Sequence, residues 1–413
     1  MKKIILALAV VSLLAATSVI STASGIFDRD LQAFSFNEAR FDRRINFLLK
    51  IAHIPSIAAC TVKDDEVIFA KAYGFYDIEN RKKAEVDTIY PVGSISKPVT
   101  ATALMQLYDQ GYFNLDDNVS EWMPFDLKNP NFPEINITFR MLLSHHASIV
   151  DGYNHCYQLP GDPHISSYPY SYIADVFLTS GSLYTPKIWM DNKKPGEEYS
   201  YSNVGYGLLE YLIERISGKK FNEYCKQNIF EPLSMHNSSY RLEDFDISQV
   251  AVPYEYIRYP WGKHIRLSHY AWIPYGCGNL RTTLEDLSHF LIAHMNGGIY
   301  KNTRILNEPT VELMHTVQFT EKSEYGLGFF VDNFLFPSFK THIGHTGSPH
   351  NFMYYRPSED VGVIIFMNSV AREFSPGWLI TNYIYYGIID LIAFELFQRA
   401  RKTEGNKVSV NNI

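Results

Sequence analysis

Runs with the period of a β-strand cluster towards the two ends of this chain and thin out between them, so a sheet must draw strands from both ends around an inserted helical region. Residues 36–52 carry apolar side chains at helical spacing. Residues 57–62 and 67–73 then read as two strands, joined into a hairpin by the charged turn Lys63-Asp64-Asp65. Residues 94–111 turn helical again, with Gly111 as the cap. The middle of the chain, to about residue 270, mixes short helices with Pro- and Tyr-rich loops such as 160–172. Strand patterns return at 326–331, 341–346, 351–356 and in the continuous apolar run 361–367. The last element, 378–397, is long and apolar, but Asn382, Asp390 and Glu395 interrupt it and favour a helix packed on a sheet over a membrane span.

At 413 residues the chain has room for two or three lobes, taking roughly 100–200 residues for each. Its formal charge of −7 argues against a phosphate-binding surface, and hence against a nucleic-acid partner. The N-terminus reads as an export signal over residues 1–24: Lys2 and Lys3, an apolar run over 4–16, then small residues at 21–25. This points to a secreted or periplasmic protein. The rival reading is an uncleaved anchor, for which the run falls short of the roughly 20 residues that span a bilayer. The four cysteines, Cys60, Cys156, Cys225 and Cys277, are widely spaced, with no C-x-x-C pair. Export would permit disulfides and the spacing selects no pairing; buried free thiols are the equal alternative.

Three short patterns can carry chemistry. A serine hydroxyl is a weak nucleophile until a base takes its proton, and a lysine three residues on shares its helix face. Ser94-Ile95-Ser96-Lys97 offers this pair, as does Ser217-Gly218-Lys219-Lys220. Context separates them: Ser94 follows a strand-like run and opens a helix, where the dipole favours developing negative charge, whereas Ser217 ends a helix with Gly218 as its cap. The plain alternative for Ser94 is an N-cap serine. Tyr201-Ser202-Asn203 offers a phenol for proton transfer and an amide that both donates and accepts; Y-x-N also occurs at 112–114 and 300–302, and a packed loop tyrosine is the alternative. His345-Thr346-Gly347, followed by Ser348, ends a strand pattern, with glycine allowing close approach of a substrate backbone; an edge-strand turn is the alternative. Adjacent His145 and His146 could suggest a metal, but on a helix they would point apart, and no metal is expected.

In order and spacing these three patterns resemble the class C β-lactamase, D-Ala-D-Ala peptidase and esterase family. Further matches are Leu115-Asp116-Asp117, residues 137–145, 195–209, 276–280 with Thr283, Asp286 and Leu287, and 325–328. The likeness runs from about Asp28 to Asn368.

The resemblance implies an α/β (α+β) fold of two lobes. An antiparallel sheet flanked by helices would come from residues 26–97 and 271–413, and a mainly helical lobe from 98–270, with the active site between them. It implies an exported serine hydrolase that forms an acyl-enzyme and cleaves an amide, peptide or ester, acting on a small molecule or peptide, cell-wall peptide included. Ser94 would be the nucleophile and Lys97 with Tyr201 the proton-transfer pair. Asn203, His345, Thr346, Gly347 and Ser348 would contact substrate, with the N–H groups of Ser94 and Ser348 as the oxyanion hole. No cofactor is implied. The β-lactamases of this group carry lysine where this chain has His345, so carboxypeptidase or esterase action is favoured over β-lactam hydrolysis. The rival from another class is a catalytically silent sensor of cell-wall or acyl ligands that uses the same cleft.

Overall fold

The computed structural model describes residues 38–151, 157–162, 170–257, 262–319, 324–332, 339–345, 350–370, 384–385, 387–389 and 391–400. Residues 44–401 form one compact unit. The chain ends, 1–43 and 402–413, form a second, of which residues 38–43 are described and open helix α1, Glu38–Ala52. The export signal expected over residues 1–24 lies outside the described residues. Among those described, no helix is long and apolar enough to cross a membrane.

Strands β1 (Ser56–Lys63), β2 (Glu66–Asp77), β3 (Lys82–Lys83), β4 (Phe330–Asp332), β5 (Phe339–His345), β6 (His350–Arg356) and β7 (Val361–Met367) form one sheet in the order β4-β5-β6-β7-β1-β2-β3. Every neighbouring pair is antiparallel. The expected hairpin is β1–β2. Its turn residues Asp64 and Asp65 both take positive φ, 49° and 67°, the backbone twist a two-residue hairpin turn requires. β1 and β7 lie side by side, Ile57 opposite Met367 and Lys63 opposite Val361, so strands from the two ends of the chain meet inside the sheet.

Both of these strands are buried along their whole length, which explains why 361–367 reads as a continuous apolar run and not an alternating one. Successive residues face opposite sides of a sheet. On the side of Gly362, helix α5 (Leu284–Met295) packs so closely that an added Cβ would lie 2.6 Å from Leu291. On the side of Val361, its cross-strand neighbours Lys63 and Arg356 meet the C-terminal helix: Lys63 Nζ donates to the carbonyl of Ala400 at 3.0 Å and the Arg356 guanidinium lies over the Phe397 ring. Residues 391–400 are helical, with Ile392, Leu396 and Phe397 buried and Leu391 exposed, an amphipathic pattern; residues 378–383, 386 and 390 of the element expected over 378–397, Asn382 and Asp390 among them, lie outside the described residues.

Two expectations need correction. Only Phe330 and Val331 of the run 326–331 are strand, which continues to Asp332. Residues 326–328 instead press their backbone against neighbours, and a Cβ added at Gly328 would sit 2.5 Å from that of Ala101. The middle of the chain also holds more strand than its pattern suggests: Tyr157–Pro160 pairs with Tyr270–Ile273, and Tyr254–Ile257 with Lys263–Arg266. Four-residue strands are too short for alternation to stand out. Between the two sets of sheet strands run helices α2 (Ser96–Asp109), α3 (Phe139–Leu143) and α4 (Asn203–Ser217). α2 is buried continuously from Ser96 to Leu107 and packs against α4.

Candidate active site

Ser94 is held by the segment that leads into α2. Tyr90–Pro91 pairs with Arg281–Thr282, Val92 N–H donates to the Leu280 carbonyl at 3.0 Å, and the buried Asn351 amide of β6 donates to the Pro91 carbonyl at 2.7 Å. Gly93 then takes a left-handed φ of 59° and bends the chain into a 3₁₀ turn, Gly93–Ile95. Ser94 therefore sits in the turn before α2, two residues ahead of Ser96, which opens the helix itself. Ser96 locks this entry, its hydroxyl donating to the Gly93 carbonyl at 2.6 Å and accepting from Leu280 N–H at 2.9 Å. Strand β5 lies beside the same turn.

Three residues on, Lys97 is fully buried, and its ammonium donates to Ser94 Oγ at 3.1 Å, Asn203 Oδ1 at 2.7 Å and the Cys277 carbonyl at 2.8 Å. An ammonium has three donors, and all three are engaged, which is how a buried charge avoids its desolvation cost. The third acceptor comes from the segment 276–280, held in turn by the Thr100 hydroxyl on the Gly276 carbonyl (2.8 Å) and by Glu210 accepting Gly276 N–H (2.8 Å). Pro98 falls in the first turn of α2, where its missing N–H is tolerated.

The Tyr201 hydroxyl donates to Ser94 Oγ at 2.8 Å, and the Lys97 ammonium lies 4.7 Å from the centre of the Tyr201 ring. Ser202 caps α4, accepting Gly205 N–H at 3.0 Å, and Asn203 is the first helical residue. Two residues outside the three motifs hold this tripeptide. Asp151 accepts from Asn203 N–H (2.7 Å), Val204 N–H (3.1 Å) and the Ser202 hydroxyl (2.8 Å), and His145 Nδ1 accepts from Ser202 N–H (3.0 Å). Sequence reasoning passed over Asp151 because nothing local marks a carboxylate that caps a helix beginning 52 residues later. Around His145 pack Tyr199, Tyr206 and Tyr325, whose hydroxyls burial pushes well above the ordinary tyrosine range and so keeps neutral.

His345 ends β5, paired with His350 across the hairpin. Its side chain, with Thr346, Gly347 and Ser348, lies outside the described residues. Ser217 behaves as a helix end: its hydroxyl donates to the Ile213 carbonyl and Gly218 is left-handed at φ 71°. The tyrosines of the other Y-x-N tripeptides go elsewhere, Tyr112 to the surface and Tyr300 into a short strand pair. His145 and His146 do not share a helix, because α3 stops at Leu143 and His145 takes a left-handed φ of 63°. Their surroundings are aromatic, and among the described residues no group of three or more His, Cys, Asp or Glu side chains could hold a metal ion. Cys60, Cys225 and Cys277 are buried free thiols, and Cys156 lies outside the described residues.

Residues 41–379 match the protein family described as Beta-lactamase. The chain is 25% identical over 343 residues to Protein flp of Staphylococcus aureus, covering 82% of this chain and 64% of that protein, so it spans somewhat under two thirds of that relative's length. It is 25% identical over 398 residues to a putative D-alanyl-D-alanine carboxypeptidase of Escherichia coli, covering 86% of this chain and 89% of the relative. Among solved structures it resembles the octameric penicillin-binding protein homologue from Pyrococcus abyssi, with a TM-score of 0.63 and 26% identity over 86% of this chain and 78% of that one.

Proposed function

This chain belongs to the beta-lactamase family of serine hydrolases, and from that premise we propose that it forms an acyl-enzyme on Ser94 and cleaves an amide, peptide or ester of a small molecule or short peptide. The observation that carries the reading is the double contact on Ser94 Oγ, from the Tyr201 hydroxyl at 2.8 Å and the Lys97 ammonium at 3.1 Å. With its three donors engaged, Lys97 acts as a fixed cation and favours the phenolate of Tyr201. Tyr201 enters the reaction as that phenolate, its proton given up to solvent beforehand, and the 2.8 Å contact then runs from the Ser94 hydroxyl to the phenolate oxygen. As Ser94 Oγ bonds to the substrate carbonyl carbon, its proton passes to that oxygen and the carbonyl electrons move onto the carbonyl oxygen. When the intermediate collapses, the bond to the leaving amine or alcohol breaks and that group takes the proton from Tyr201. Water then repeats the sequence on the acyl-enzyme, releasing the acid and restoring Ser94.

The substrate-binding groups of this reading are the Asn203 amide and His345-Thr346-Gly347-Ser348, with the N–H groups of Ser94 and Ser348 holding the oxyanion. In this reading the cleft lies between a sheet-containing lobe, from 26–97 and 271–413, and a mainly helical lobe, from 98–270. Carboxypeptidase or esterase action is preferred to β-lactam hydrolysis, since His345 replaces a lysine, and the similarity to a putative D-alanyl-D-alanine carboxypeptidase supports a peptide substrate. The export signal read in the sequence of residues 1–24 supports a reaction outside the cytoplasm.

The test is steady-state hydrolysis of p-nitrophenyl butyrate and a D-alanyl-D-alanine peptide, by the native protein and Ser94→Ala. Turnover of at least one substrate that is lost in the variant is expected. Equal rates from both proteins overturn the assignment.

A further inference from the structure

The three motifs name the groups that meet at Ser94 but not what keeps two of them there. Tyr201 and Asn203 stand at the end of a loop, where backbone freedom would let the phenol and the amide drift from Ser94 and Lys97. The chain just beyond α3 prevents this. His145 and Asp151 between them accept the backbone N–H groups of Ser202, Asn203 and Val204, and Asp151 also takes the Ser202 hydroxyl. Ser200 N–H, on the other side of Tyr201, donates to the carbonyl of His145 at 2.8 Å.

We infer that His145 and Asp151 are positioning residues for the acylation step, a paired clamp on the Tyr201-Ser202-Asn203 backbone that sets where the phenol and the amide meet Ser94 and Lys97. This rests on the acyl-enzyme reading above.

The chemistry of each partner fits the role. Because Ser202 N–H points at His145 Nδ1, that nitrogen is an acceptor and the ring proton of the neutral imidazole sits on Nε2. The ring is 2% exposed and lies 4.5 Å from that of Tyr201, so one side chain fixes both the backbone beside Tyr201 and the face of its ring. The left-handed φ of 63° at His145 turns its carbonyl to Ser200 and its ring to Ser202 at once, which a helical residue could not do. Asp151 places a carboxylate at the N-terminus of a 15-residue helix, where the exposed N–H groups and the dipole favour negative charge. Loss of either partner frees the tripeptide without removing a group that touches substrate. The defect then belongs to the chemical step and not to binding, because a displacement near 1 Å can lower a rate by about 10²-fold.

The test is the rate of covalent labelling of the full chain by a fluorophosphonate, resolved into its maximal rate and its half-saturating concentration, for the native protein, His145→Ala, His145→Asn, Asp151→Asn and Tyr201→Phe, with melting temperatures alongside. His145→Ala and Asp151→Asn are expected to lose about 10- to 100-fold in maximal rate, with half-saturation changed by less than about threefold. Asparagine can place Oδ1 where Nδ1 stands and tolerates a left-handed φ, so His145→Asn should recover to within about fivefold of native. Should His145→Ala fail to fold, Asp151→Asn and His145→Asn still decide the matter. Rates of Asp151→Asn and His145→Ala equal to native, a loss confined to half-saturation, or an asparagine variant no better than alanine each overturn the clamp. If Tyr201→Phe is slow while the clamp variants are not, the clamp fails and the acyl-enzyme reading stands. If the native protein takes no label on Ser94, that reading fails and the clamp falls with it.

Discussion

Lys97 Nζ lies 2.7 Å from Asn203 Oδ1, a contact between residues 106 positions apart that joins the first two motifs through one buried charge. The contact also orients the amide: its oxygen faces the ammonium, so its NH₂ end is the one left to meet a substrate carbonyl.

Replacing Lys97 tests that charge. Lys97→Met keeps much of the volume but removes the cation, and the acylation rate should fall by about 10²–10⁴-fold, the range for lost acid–base assistance. Lys97→Arg should not restore it, because a planar guanidinium cannot reach three acceptors disposed around one nitrogen. Single-turnover kinetics checks this, and a defect seen only in substrate affinity would contradict the role.

Gly328→Ala should destabilise the protein by about 1–3 kcal/mol or more, since overpacking forces its neighbours to shift. Its φ of 90° disfavours any side chain, and the new Cβ would meet Ala101 on the helix that carries Lys97. Urea unfolding gives the loss, and labelling of the surviving folded fraction should also slow. Native stability in the variant would place this segment away from α2.

Much of this was legible in advance where a local rule decides the structure. The Lys63-Asp64-Asp65 turn, the buried run 361–367 and the cap at Gly218 each follow from neighbours in sequence. The pairing of Ser94 with Tyr201 became legible only through the order of the three motifs, because no local signal links residues 107 positions apart. Asp151 and the left-handed turn at His145 were not legible: their meaning lies in hydrogen bonds to a distant loop. Residues 326–329 misled because alternation of glycine with apolar residues imitates a strand, while tight backbone packing sets their actual path.

Acid should weaken the fold in a defined window. His294 is buried on α5 with its Nε2 2.9 Å from the Thr102 hydroxyl, and burial lowers its pKa to about 3. The unfolded ring takes a proton below about 6.5. Between these values the unfolded state binds more protons, so the stabilising contribution is complete above pH 6.5 and is lost as pH falls towards 3. Urea midpoints measured from pH 7 to 4 should drop, and His294→Phe should flatten the slope by up to about one proton. An unchanged slope would contradict a neutral buried imidazole.

Substrate preference tests the third motif. Near pH 7.5 an ordinary imidazole is mostly neutral and a lysine is cationic, so His345 should attract a substrate carboxylate weakly. A neutral ester should then be turned over better than a matched carboxylate substrate or a penicillin, and His345→Lys should move kcat/KM towards the carboxylates. Equal use of both by the native protein, with no change in the lysine variant, would contradict the esterase or peptidase preference.

The central claim, covalent catalysis on Ser94, is met most directly by quenching turnover of a slow p-nitrophenyl ester in acid and weighing the intact protein. The account predicts one added acyl mass, mapped to the peptide that holds Ser94, absent in Ser94→Ala and retained in Ser217→Ala. An adduct that persists in Ser94→Ala, or that maps to any other residue, would contradict it.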